Sequence, residues 1–383
     1  GSLPGFPLEP GKTESGSNWF LIPHFAYNRA LDEQSSFGVS VYGNGGMNTD
    51  YGKDPTSPAR GQAVDRFVAQ MVTGNPFDPN ISGTCAPGVF CAGTSGVNLS
   101  QLFVNLSYAR KFNDRASWGA GLVLAGQGFR AKGLGFFSGF STSPSNLTDN
   151  GHDFSFGAGV KVGLQGEVID GLTLAGSYQS KIWMSEFDDY KGLFAEDGDF
   201  DIPPTATIGL AWDVAPRHTI VADYQYIWYE NVDSISNPNR LDLCMAGQSE
   251  YCLGGSKGAG FGWENTGVIK VGWQFEYSPD LTFRLGYSHN NQPIPDSEVL
   301  FNTLAPGVVE DHFTAGLTQR LGKNNEWSLM LMYAPKTDVK GPNSFTGAPP
   351  DALGPGSPAI PGQEIEVSMK QFEVEASFGM TWD

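Results

Sequence analysis

Few residues in this chain have the types and spacing that chemistry requires. Four cysteines form two close pairs, Cys85/Cys91 and Cys244/Cys252, each within a stretch rich in Gly, Pro, Ser and Asn. Zinc ligation, the competing reading, would want Cys-x-x-Cys spacing or a neighbouring histidine, and neither pair has one. The pairs read as two short-loop disulfides, which places the chain in an oxidising, extracytoplasmic setting. His24, His152, His218, His289 and His312 are scattered, and none has an evident serine or metal-ligand partner by spacing. Gly254-Gly255-Ser256-Lys257-Gly258 fits Gly-x-Ser-x-Gly formally. It lacks the preceding strand and following helix that make a nucleophile elbow, so it reads as a flexible loop. The acidic run Asp188, Asp189, Glu196, Asp197, Asp199 and Asp201 has no EF-hand pattern and reads as a solvated loop. No catalytic residue, metal site or cofactor is expected.

A second set suits binding rather than reaction. Phe103, Val123, Phe129, Trp183, Met330 and Met332, with Ala109 and Ala125, fall where a water-filled pore would carry charge. Between them lie a few cations, Lys161, Lys181, Lys270 and Arg284. Apolar walls with few polar groups suit a hydrophobic small molecule, or an amphiphile with a carboxylate head such as a fatty acid. Val64, Phe67, Val68 and Met71 recur at helical spacing within 63–72, so this segment is a candidate helix for capturing greasy substrate at the surface.

The elements that must position these residues are strands. In 265–292, Ile269, Val271, Trp273, Phe275 and Tyr277 alternate with Lys270, Gln274 and Glu276. After Ser278-Pro279-Asp280, Leu281, Phe283, Leu285 and Tyr287 alternate with Thr282, Arg284 and Ser288. Period two means strand, and a sheet greasy on one face and charged on the other fits a membrane barrel, lipid outside and polar lumen inside. The same pattern predicts strands over 18–29, 36–46, 99–112, 116–130, 152–168, 172–187, 204–213, 218–231, 309–321, 326–335 and 364–382. Connections alternate between short and long, and tryptophans gather near both ends of the strands, as interfacial anchors should. No apolar run reaches the length of a membrane helix. A net charge of −18 excludes nucleic acid, which needs a basic stripe. The expected fold is therefore all-β, a transmembrane antiparallel β-barrel over 1–383 as one domain in the bacterial outer membrane. Its surroundings would be outer-membrane lipid and lipopolysaccharide, and it would act as a monomer. Thirteen strands leave the first and last running the same way, so the barrel is expected to need a fourteenth, upward strand before Gly1. The second strand ends in Tyr42-Gly43-Asn44-Gly45-Gly46, glycines that admit a bend, and with it a sideways opening of the wall.

Three stretches resemble the FadL/TodX (OmpP1) family of outer-membrane transporters for long-chain fatty acids and other hydrophobic compounds. They are 19–51, with Pro-His-Phe-Ala-Tyr and Phe-Gly-Val-Ser-Val-Tyr-Gly; 203–231; and 283–321, where Phe-Arg-Leu-Gly-Tyr-Ser-His leads to Pro293-Ile294-Pro295. The resemblance implies fourteen strands, an N-terminal hatch with an Asn-Pro-Ala motif, and a third strand that bends inward and opens the wall to lipid. No Asn-Pro-Ala occurs here, so hatch and first strand are expected to be missing from this chain, and the bent strand would be 36–46. Function is then passive uptake of hydrophobic molecules by lumenal binding and lateral exit. An adhesin or phage receptor is the alternative, and an outer-membrane lipid hydrolase a more distant one.

Overall fold

The computed structural model describes residues 8, 11–43, 46–52, 80, 88–347 and 362–382. The capture helix expected at Val64, Phe67, Val68 and Met71 lies outside these residues, as do Asn44, Gly45 and Cys85. Strands form where alternation predicted them: β1 His24–Ala30, β2 Ser35–Gly43, β3 Gly96–Asn113, β4 Ala116–Lys132, β5 Asp153–Ile169, β6 Leu172–Gln179, β7 Trp183–Met184, β8 Thr205–Ala215, β9 His218–Ile227, β10 Thr266–Ser278, β11 Leu281–Asn290, β12 Asp311–Leu321, β13 Asn325–Pro342 and β14 Glu364–Met380. All neighbours are antiparallel, and β1 through β14 make one continuous sheet in chain order, with β7 off that path and paired to β5. The path thus holds thirteen strands, with β1 and β14 at its ends. His24 of β1 and Glu375 of β14 approach to 3.8 Å, so the sheet curls until its two ends face each other.

Outward side chains are apolar and bare: on β5, Phe154, Phe156, Val160, Val162 and Leu164 are all exposed. Only an apolar solvent makes such a face favourable. Short turns close the opposite end of each hairpin. Asn113 Oδ1 accepts the N–H groups of Arg115 and Ala116, and Gly171 adopts a positive φ of 79°. One-residue register shifts beside these turns, at Lys111/Asn113, Glu167/Ile169, Asp213/Ala215 and Glu276/Ser278, let tight turns match the strand twist.

Three expectations need correction. The first strand begins at His24 rather than near residue 18. The strand expected over 172–187 breaks after Gln179. Lys161 faces Gln179 while Ala158 faces Trp183, so three residues (180–182) oppose two of β5 and the alternation inverts. Trp183 therefore points outward, 61% exposed, and not into the lumen. Finally, β13 runs on to Pro342. After a register shift between Ala334 and Thr337 its upper part turns Val339, with Ile365 and Val367 of β14, into the buried core.

That core lies at the loop end. Phe90, Phe137, Phe140, Phe187, Phe194, Phe301 and Phe345 belong to one buried apolar cluster drawn from nearly every long connection. Long loops carrying this much aromatic surface would be insoluble unless they packed on one another. Trp263, expected in the aromatic belt, packs on this cluster instead, its indole donating to Asn302 Oδ1 at 2.7 Å.

Candidate functional site

Phe129 near the top of β4 and Val97 at the start of β3 face inward and begin an apolar chamber. Loops finish it. The turn Gly135–Phe140 brings Phe137, the segment before β8 brings Leu193 and Phe194, and Phe301 and Leu304 close the far side. Phe129 is 1% exposed and lies 4.7 Å from the ring of Phe194 and 4.8 Å from that of Tyr190. The space open to the centre of a water molecule is about 40 Å³. Among the described residues no charged side chain lines it. The one polar side chain among them, Ser234, already donates its hydroxyl to the Asp199 carbonyl.

Directly below comes a layer of hydrogen bonds. Gln101, Gln127 and Ser155 stand side by side on β3, β4 and β5. Gln101 Nε2 donates to Gln127 Oε1 at 3.2 Å, and Gln127 Nε2 donates to the Phe200 carbonyl at 2.9 Å. Gln127 is 1% exposed, an amide buried only because both its ends are satisfied. Below the layer a second apolar cluster gathers Phe103, Val123, Ala125, Ile182, Met184 and Ile202, with Tyr42 packed edge-on to Phe103 at 5.5 Å. Asp201, itself buried, accepts from the Met184 N–H at 2.7 Å and pairs with Lys181 Nζ at 3.1 Å. Burial, then the neighbouring Asp201, pushes the Asp199 carboxyl up to about 7.

The wall changes at the same height. The β2–β3 ladder ends at Gly43 opposite Leu102, and β3 pairs with the chain again at Met47 and Asn48, where the Met47 carbonyl accepts from the Leu99 N–H at 2.7 Å and Asn48 faces Asn98. Gly46 lies close against β3, where an added Cβ would sit 1.9 Å from the Leu99 carbonyl oxygen. Gly43 is likewise closely covered, by Ile22.

The turn-end half of the lumen has a different character. About 390 Å³ there is open to the centre of a water molecule, lined by Asn105, Ser107, Lys161, Gln165, Thr207, Asp223 and several glycines. Of the residues singled out by sequence, Phe129 lines the chamber, Phe103 and Val123 lie under the layer, and Lys181 sits at it. Lys161 belongs to the wet half. Lys270 bonds Gln225 at 2.9 Å, and Arg284 bonds Gln274 at 2.9 Å and Thr318 at 2.8 Å. Met330 and Met332 face inward from β13, opposite Gly316 and Thr314. These residues are not gathered into one pocket, and no cation reaches the chamber. The acidic stretch is only partly solvated, because Asp201 is buried, and no cluster among the described residues could hold a metal. Gly254 and Gly255 are buried, their carbonyls accepting from Asp197 and Glu196. Cys244 and Cys252 are bonded as expected, and Cys91 is also in disulfide form. Sequence reasoning missed the loop phenylalanines. Phe136, Phe137 and Phe140 within five residues, with Phe187, Phe194 and Phe200, were the available signal.

Residues 83–326 match the model of a family described as outer membrane protein transport protein (OMPP1/FadL/TodX). Solved structures of similar fold include the Pseudomonas putida toluene transporter TodX, 15% identical with a TM-score of 0.61, over 96% of this chain and 84% of that one. A Pseudomonas aeruginosa FadL homologue is 15% identical with a TM-score of 0.57, over 99% and 86%. The Ralstonia pickettii toluene transporter TbuX is 14% identical with a TM-score of 0.53, over 94% and 80%. No curated protein matches the sequence.

Proposed function

The chain belongs to the outer membrane protein transport family OMPP1/FadL/TodX, outer-membrane β-barrels that move hydrophobic compounds and are not enzymes; from that premise we propose that it takes up small uncharged hydrophobic molecules through the loop-end chamber and releases them sideways at the Gly43–Gly46 stretch. The whole chain acts as one barrel domain in this reading. The observation that carries it is the chamber lining, thirteen apolar or glycine residues and one serine whose hydroxyl is already engaged. A carboxylate in such a place would lose its hydration with nothing in return. Lys181, beside the hydrogen-bonded layer, is already held by Asp201. Sideways exit suits such a cargo, since each CH₂ returned to water costs about 0.8 kcal/mol. The β2–β3 ladder ends at Gly43, near the Gln101 layer under the chamber, so an exit at this stretch would lead to lipid rather than to the wet half of the lumen.

The test is uptake by cells expressing the full-length protein, compared with an empty vector. Radiolabelled toluene should enter faster than oleate at equal concentration. Faster oleate entry would overturn the preference for uncharged cargo. Gly46→Val should fold and insert yet lose most toluene uptake, and undiminished uptake in that inserted variant would rule out exit at this stretch.

A further inference from the structure

One strap of chain, Asp199–Ile202, bridges the apolar cluster around the chamber and the lower apolar cluster. Phe200 belongs to the upper cluster, 4.7 Å from Phe194, while Ile202 belongs to the lower one. The strap is fastened along its length. The Asp199 carbonyl takes the Ser234 hydroxyl, the Phe200 carbonyl takes the Gln127 amide, Ile202 exchanges backbone bonds with Ile182 at 3.0 and 3.1 Å, and the Asp201 carboxylate grips Lys181 and the Met184 N–H. All but the last are neutral bonds common to any packed segment. The last is different, because a buried charge that loses its partner is left uncompensated. Both partners lie on the irregular stretch after Gln179, where three residues oppose two of β5. The fastening thus joins the strap to the place where the regular ladder along β5 is interrupted.

We propose that Asp201 and Lys181 are positioning residues that latch the strap shut as the floor of the chamber, and that their release is the step by which a bound molecule leaves it. The latch rests on the reading of the chamber as the transport site. Asp199 supplies a control. Its carboxyl, raised to about 7, is neutral in mild acid and charged above neutrality. The charged groups facing it are Asp201, Lys181 and Glu196, and Asp233 is the acidic residue of the neighbouring short helix Asp233–Ser236. Once ionised, Asp199 repels Asp201 and Glu196 and competes for Lys181. The latch is firmest below neutrality and loosens as pH rises through about 7.

The experiment is toluene uptake by cells expressing the full chain, at about pH 6 and about pH 8, on either side of the Asp199 transition. Wild type should be faster at the higher pH. Asp201→Asn should be several-fold faster than wild type at the lower pH, and Lys181→Asp combined with Asp201→Lys should return to the wild-type rate there. Asp199→Asn should keep the slow rate at both pH values. A merely structural role would slow uptake in these variants and leave the pH profile alone. Wild-type uptake no greater than that of the empty vector would overturn the transport reading itself. Wild-type uptake with Asp201→Asn no faster than wild type would overturn only the latch. If Asp201→Asn does not insert, Asp199→Asn decides: acceleration at the higher pH equal to wild type sinks the proposal.

Discussion

Above Gln127 and below it, the same strands line two different interiors. Above, β3 and β4 present Val97 and Phe129 to a chamber sealed by loop aromatics; below, they present Asn105, Ser107, Ser117 and glycines to open water. Strand alternation cannot create this contrast, since it runs unbroken through β4 from one end to the other. The loops create it. Where they descend into the lumen, an inward side chain meets another apolar group and burial favours Phe; where they do not, it meets water and small or polar residues cost nothing. A membrane barrel can therefore be greasy on both faces over part of its height, with a row of buried amides marking the boundary.

The sharpest way to break the contrast is to hollow the upper half. Phe137, buried against Phe90, Phe301 and Phe345, should cost about 3–5 kcal/mol of loop-core stability when changed to Ala. Ser117→Ala in the wet half should cost nothing measurable. Limited proteolysis of the loops, with the heat-resistant barrel as internal reference, reads both, and equal effects would erase the distinction. Reduction of Cys244–Cys252, which closes a span of 8 residues, should weaken the same loops by about 2–3 kcal/mol while the barrel transition stays put. Loss of barrel stability on reduction would show that the two halves unfold as one.

Acidity should separate the halves in a graded way. Burial raises Asp199 to about 7, and burial also raises Glu298, which accepts from the Asn239 N–H at 2.8 Å. The folded loops then bind protons that the unfolded loops release near the ordinary carboxylate value. Stability from these groups is present in acid and is lost as pH rises through about 7 for Asp199. Protease cuts within the loops should become faster between mild acid and mild alkali, and a rate independent of pH would contradict the assigned burial. The smallest effect belongs to the lumen cations. Lys270→Met and Arg284→Gln remove partly solvated groups bonded to Gln225, Gln274 and Thr318. Each should change stability by about 0–1 kcal/mol and leave toluene uptake within about twofold. A strong fall in uptake for either would mean that cargo passes down the wet half after all.

The strand count, the antiparallel order, the Cys244–Cys252 disulfide and the outer-membrane setting were legible in the sequence, because period-two alternation, short–long connections and close cysteine spacing are local properties of a chain that spans a membrane. Gly46 was legible as a glycine and the structure gives it a reason, since only a residue without a side chain tolerates the close approach to Leu99. Trp183 was misread for a local reason: one extra residue among 180–182 inverts every side chain after it, and no pattern announces an insertion of one. The chamber, the Gln101–Gln127–Phe200 layer and the Asp201–Lys181 pair were decided by tertiary structure alone. They join residues far apart in the chain, and it is the burial of each by the others, not its own type, that turns a phenylalanine in a loop into a wall and an acidic residue into a fastening.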